Sequence, residues 1–228
     1  MAEWRLWRSW PAAAIKLRLE QARHSPSNVG AHEEEMTGDH GWHHFYSEAV
    51  IATEAEGEDR FGRARAALAN YQFSAPAIVL AHFDQAEPLL WRCMLLEVQV
   101  LGLHHLCPAI VNRVTDEADV FGFRDDTLEG HLERGVEWFL LTRNDQGQIR
   151  FRIEARWQQG EFPNWWSRIG FIVLSGYYQR KWHRLAHHRL WLLAHYGSTR
   201  QPPRDAAGPT HQGVDVVFTY HTNRKWFQ

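Results

Sequence analysis

The chain has 228 residues, 44% hydrophobic and 23% charged, with a formal net charge of −2. That balance suits one domain with a sizeable core, and 16 Gly, 9 Pro and 2 Cys exclude collagen-like, disordered and disulfide-scaffold chains. Two counts stand out, 12 Trp and 15 His, residue types suited to aromatic pockets and to metals.

In chain order, Pro11 sits where a first helical turn tolerates it, with Ser9 near enough to cap, and Ile15, Leu19 and Ala22 recur at helical spacing to about Arg23. A polar loop follows from Ser25 to Gly41, and Ser47 to Thr53 reads as a short strand. After Gly57, Phe61, Ala64, Leu68 and Tyr71 share one face of an amphipathic helix. The period then changes. Six runs of strand character follow: Ala77–Phe83, Leu90–Leu101, Leu106–Val114, Val120–Leu128, Arg134–Arg143 and Gln148–Gln158. The Asn144-Asp145-Gln146-Gly147 break is a strong hairpin signal, and Phe151, Ile153, Ala155 and Trp157 alternate with charged residues as in a half-buried antiparallel strand. Pro163 opens a long helix to about Tyr196, ended by Gly197; residues 198–213 read as a linker, and VDVVFTY as one further strand.

A long antiparallel meander closed by one apolar helix is satisfied when the curved sheet wraps the helix, often leaving a cavity between them. The predicted fold is therefore α+β, a helix-grip arrangement of about seven strands on a long C-terminal helix. Its parts are an N-terminal helix and loop (1–45), the helix-grip domain (46–196), and a linker and tail (197–228).

No window approaches the roughly 18 uncharged apolar residues of a membrane-spanning helix; the longest candidate, Leu89 to Val111, is broken by Arg92, Glu97, His104, His105 and Pro108. The N-terminus alternates Trp with charge, unlike a signal peptide. Cys93 and Cys107 follow no metal spacing. A hairpin turning near Gly102 would set Cys107 against Val100 or Leu101, away from Cys93, so two core thiols in a reducing, cytoplasmic setting are expected. Acidic residues concentrate in 1–160 and basic ones in 161–228; such a chain is self-complementary, or offers its basic C-terminal segment to an anionic partner or membrane surface.

The densest polar stretch is FGFRDDTLEGHLERGVEWF, Phe121 to Phe139. Period two puts Phe121, Phe123, Asp125 and Thr127 on one face and aligns His131, Glu133 and Glu137. A histidine among carboxylates can act as general acid or base, its pKa raised by the negative neighbours; alternatively, the stretch is a strand connection whose Arg134 pairs with Glu133 or Glu137 at the surface. His183 and His187 lie at i, i+4, but Arg184 stands where a zinc protease has its glutamate, and cations crowd the segment. No metal or cofactor is expected, and these histidines read as solvated or as complements to the helix C-terminal dipole. The tryptophans read mainly as packing, since each buries a large area, and their spacing does not build a nucleic-acid platform.

The same stretch resembles an uncharacterised domain-of-unknown-function family of bacteria and plants, whose hallmark reads roughly FGFAYGTLPGHPERGEERF. Phe121, Gly122, Phe123, Thr127, Leu128, Gly130, His131, Glu133, Arg134, Gly135, Glu137 and Phe139 match it. The resemblance runs from about Trp4 to Leu190, through the SNVGA loop and GEDRFGRARAALANYQF. It departs at Asp125-Asp126, where the family has Tyr-Gly, at Val136, and near Cys107, Ala109 and Ile110, where the family tends to have Asn, Cys and Arg. The family is similar to START-like, polyketide-cyclase-like helix-grip proteins, which implies binding of apolar small molecules without implying a reaction.

These readings combine into one expectation: an apolar or amphipathic small molecule bound between sheet and helix, oriented by Thr127, His131, Glu133, Arg134 and Glu137, with Phe123 and Trp166 as apolar walls. The alternatives are an enzyme using the same cavity, with His131 and Glu133 or Glu137 as acid–base pair, and a membrane-surface or partner-binding protein acting through its basic aromatic C-terminal segment.

Overall fold

The computed structural model describes residues 3–29, 41–160, 165–197 and 214–222, with residues 3, 165–175 and 220–222 by their backbone alone. Nine strands form one antiparallel sheet: β1 (Glu3–Leu6), β2 (His43–Thr53), β3 (Val79–His82), β4 (Cys93–Val100), β5 (Leu103–Asp116), β6 (Val120–Thr127), β7 (Glu133–Arg143), β8 (Gln148–Gln159) and β9 (Val217–Thr222). Their order is β3-β4-β5-β6-β7-β8-β2-β9. β5 pairs with β6 over its second half, and β1 pairs with its first half. Among the described residues there are also three helices, α1 (Ala12–Ala22), α2 (Arg60–Ala69) and α3 (Trp165–Tyr196).

The six-strand meander and long helix are where the sequence puts them. The two extra strands come from the ends: β1 from the tryptophan-rich start, which carries no clean alternation, and β9 from VDVVFTY, which pairs with β2 from His43 to Glu48. β2 also begins earlier than Ser47, at His43, so segments read as appendage and tail both join the sheet.

Local chemistry fixes the connections. Asp59 caps α2, its carboxylate accepting the Gly62 N–H at 2.8 Å. α1 starts after Pro11 without a side-chain cap, so Ser9 does not serve as one. The β4–β5 hairpin turns on Leu101 and Gly102, both with positive φ (50° and 79°), the two-residue loop that matches strand twist. In the β7–β8 hairpin, Asn144 Oδ1 accepts the N–H groups of Gln146 and Gln148 while Gly147 takes φ 73°.

The concave face of the sheet buries Phe121, Phe123, Phe139, Phe151 and Ile153 against Phe61 and Leu68 of α2 and Trp182, Ala186 and Leu190 of α3. α1 packs on the opposite face, over Cys93, Leu95 and Leu106. The two cysteines are free and lie on opposite faces of the sheet. Cys107 sits across from Leu96, rather than Val100 or Leu101, because the hairpin turns tightly at Leu101-Gly102. No described helix is long and apolar enough to cross a membrane.

Candidate functional site

A cavity of about 380 Å³ lies between the concave face and the middle of α3. Aliphatic walls come from β4 and β5, with Leu96, Val98 and Leu103 among them; Phe45, Tyr71, Trp157 and Trp182 supply aromatic ones. The polar part is concentrated on β6 and β7. Asp125 and Glu137 are direct cross-strand partners on the inward face, and Glu133 enters from the same face of β7.

Three carboxyl groups facing an apolar cavity cannot all hold charge cheaply. Burial drives Asp125 well above the usual carboxylate range; Asp126 reinforces this and Arg124 opposes it. Glu137 is likewise raised by burial, then by Asp125 and Glu133. Glu133 is pushed up to about 7 by burial, against a Gln179 Nε2 hydrogen bond at 3.2 Å. At neutral pH the wall is therefore largely protonated. The buried Tyr71 hydroxyl, raised by burial and by the two neighbouring carboxyls, stays neutral.

The sequence-predicted residues divide by strand parity. Thr127, His131, Glu133 and Glu137 line the cavity. Arg134 does not: it points out of the other face of β7, its guanidinium 5.9 Å from the Trp42 ring, so it neither reaches the cavity nor pairs with Glu133 or Glu137. Phe123 is inward but lies in the packed core, 5.0 Å from Phe139 between ring centroids, and is absent from the cavity walls. The Trp166 side chain is outside the described residues.

Several hallmark residues are occupied by holding the fold. The Thr127 hydroxyl accepts the Gly135 N–H at 2.9 Å and lies within hydrogen-bonding distance of Asn28 Oδ1 and the Gly135 carbonyl. Asn28 Nδ2 in turn donates to the Leu128 carbonyl at 3.1 Å, which ties the SNVGA loop to the hallmark. Gly135 is required because a Cβ there would fall 2.2 Å from the Arg156 carbonyl oxygen. His131 Nδ1 lies 2.9 Å from the Glu133 backbone nitrogen and 3.0 Å from its carbonyl oxygen, so the Glu133 backbone engages that ring nitrogen in either tautomer. Burial takes this imidazole down to about 4, so its pKa is lowered, not raised by carboxylates as the sequence suggested.

α3 supplies what the sequence reading placed in solvent. His183 and His187 are 2% and 0% exposed, and Ser47 Oγ lies 2.6 Å from His183 Nδ1 and 2.9 Å from His187 Nε2. One hydroxyl proton serves two imidazoles, so the bonds must run in one direction. His187 Nδ1 is buried without a partner, and a bare acceptor is tolerated better than an orphaned N–H. His187 Nε2–H therefore donates to Ser47, Ser47 donates to His183 Nδ1, and His183 carries its proton on Nε2, 4.0 Å from Glu137. Burial holds His187 at about 3 and His183 well below its ordinary value. The signal was available: Trp182, Ala186, Leu190 and Ala194 form one buried stripe at helical spacing, and the two histidines fall on it. No group of three His, Cys, Asp or Glu among the described residues can hold a metal ion.

A curved antiparallel sheet gripping a long helix, with a mainly apolar cavity between them, defines a helix-grip protein. Residues 25–188 match the family "Domain of unknown function (DUF1990)", and the chain belongs to that family. It is 34% identical over 108 residues to a UPF0548 protein of Deinococcus radiodurans, an alignment covering 43% of this chain and 54% of that one; the chain thus spans about half the length of this curated relative. Among solved structures it is similar to hypothetical protein jhp0584 from Helicobacter pylori (14% identity, TM-score 0.41, 67% of this chain and 87% of that one). It is also similar to Ara h 8.0201 (12% identity, TM-score 0.39, 66% and 98%).

Proposed function

We propose that the protein binds an apolar or amphipathic small molecule in the cavity between sheet and α3. The observation that carries this reading is the cavity itself. Protein interiors pack with few voids larger than a water, and an unfilled apolar void is costly to keep. At about 380 Å³ this one falls within the usual span of small-molecule sites. Its composition suits that role as well, with mostly apolar walls and the carboxyl groups gathered on β6 and β7.

Native mass spectrometry of the freshly purified protein, followed by solvent extraction, tests the reading. A discrete mass increment is expected that disappears in Val98→Trp, a substitution at a half-buried wall position that fills the cavity. If the wild type carries no increment, and no apolar probe raises its melting temperature more than that of Val98→Trp, the proposal fails.

A further inference from the structure

The chemistry of the cavity wall narrows the ligand class. Asp125 is 4% exposed, lines the cavity, and its Oδ2 has no hydrogen-bond partner. Its neighbour Asp126 lies on the other face of β6, where Arg124 binds both carboxylate oxygens, so neither residue supplies Asp125 with a direct partner. Beside Asp125 stand Glu137, directly across the strand pair, and Glu133. No Lys or Arg is among the described cavity residues.

The remaining titratable groups add no positive charge at neutral pH. His105 from β5, His131 from the β6–β7 connection and His183 from α3 are all held neutral by burial. Cys107 stays a thiol, burial raising it to about 12, and Tyr71 stays a phenol. Phe45, Tyr71, Trp157, Tyr178 and Trp182 line the same cavity, Trp157 on the strand next to β7, across from Gly135, and Tyr71 close enough to Asp125 and Glu137 to feel their charge.

We propose that the cavity selects an organic ammonium cation with an apolar body, with Asp125, Glu133 and Glu137 supplying the counter-charge and the surrounding rings the rest of the contact. This deepens the ligand-binding reading above and rests on it. An ammonium head neutralises the wall that otherwise must take up protons, and it is attracted to ring faces in a desolvated site. A carboxylate ligand finds no Lys or Arg to pair with and is tolerated only while the wall stays protonated, and a neutral one gains nothing from the carboxyl groups' charge. A compact metal ion is disfavoured because the acids do not converge on one point, whereas an alkylammonium spreads its contacts along the wall.

Binding of the cation requires the wall to ionise, so protons leave as the ligand enters. The test uses three probes with one apolar body and different heads: n-octylammonium, 1-octanol and octanoate. Affinities are read by calorimetry in buffers of differing ionisation enthalpy, with the change in the protein's total tryptophan emission as an independent signal. Octylammonium should bind at least about tenfold tighter than either analogue, release protons at pH 7, and tighten from pH 6 to 8 while remaining charged itself. The isosteric variants Asp125→Asn and Glu137→Gln should each cost the amine about tenfold or more and leave 1-octanol unchanged. If 1-octanol or octanoate binds as tightly as the amine, or the carboxamide variants leave the amine unaffected, cation selection is overturned while the cavity reading stands. If none of the three binds a protein whose near-ultraviolet dichroism is native, both are overturned.

Discussion

Asp125 and Asp126 are adjacent in β6 and chemically identical, yet they occupy opposite situations. Asp126, on the outer face, receives Arg124 Nε at 2.7 Å and Nη2 at 2.8 Å, with Asn112 donating at 2.6 Å. Arg124 itself lies 5.7 Å from the Trp138 ring. Asp125, on the inner face, meets Glu137 and an empty space. The outer face thus satisfies its charge in full; the inner face lets burial suppress charge by protonation. A structural carboxylate and a ligand-facing one are separated by a single step of strand alternation, so counting acidic residues along this segment says little about what they do.

The contrast can be broken from the outer side with the largest effect. Arg124→Met removes the partner of a buried carboxylate, and urea denaturation should show a loss of about 3–5 kcal/mol. An unchanged midpoint would mean that Asp126 is not relying on Arg124. Ser47→Ala tests the inner network at its hinge: it leaves a buried imidazole N–H without an acceptor and should cost about 1–3 kcal/mol by the same measurement.

Glu133 sharpens the comparison through pH. Its pKa in the folded protein, about 7, exceeds its ordinary value of 4.5, so the folded state binds more protons than the unfolded one between those values. Its contribution is fully present below about pH 4.5 and is lost as pH rises through 7. Glu133→Gln should accordingly be more stable than wild type at pH 8, by about 1–2 kcal/mol because solvent reaches part of this side chain. That advantage should vanish by pH 4, and a constant difference across the range would contradict the assignment. The smallest effect belongs to Asp125→Asn, which replaces an already neutral, unpaired group. Its stability should match wild type within about 1 kcal/mol at pH 5 and exceed it slightly at pH 8. A loss as large as that of Arg124→Met would show that Asp125 has a partner.

Much of the fold was legible because its signals are local. Alternation in FRIEARW, the Asn144–Gly147 turn and the change of period after Tyr71 located the meander, and one long apolar helix implied the grip. β1 was not legible, since its pairing to β5 depends on a distant partner and not on its own pattern. At the site, parity put Asp125 with Thr127 and Glu133 with Glu137 without saying which face was inward, and the same rule, carried through Arg134, would have sent it to the opposite face from Glu133 and Glu137. The roles of Thr127 and His131 were hidden for another reason: their polar atoms are consumed by backbone groups brought near only by folding. Ser47 carried no signal of its own. Its importance arises because β2 passes under two histidines 136 and 140 residues away.

The pairing of β9 with β2 has a consequence for how the molecule behaves in company. From His43 to Glu48, β2 is flanked on one side by β8 and on the other by β9 alone. Without that last strand, a row of ladder N–H and C=O groups would face outward beside apolar side chains, the template on which chains add to one another end to end. β9 replaces that edge with its own, six residues long, and a short edge strand is one way a sheet limits such addition.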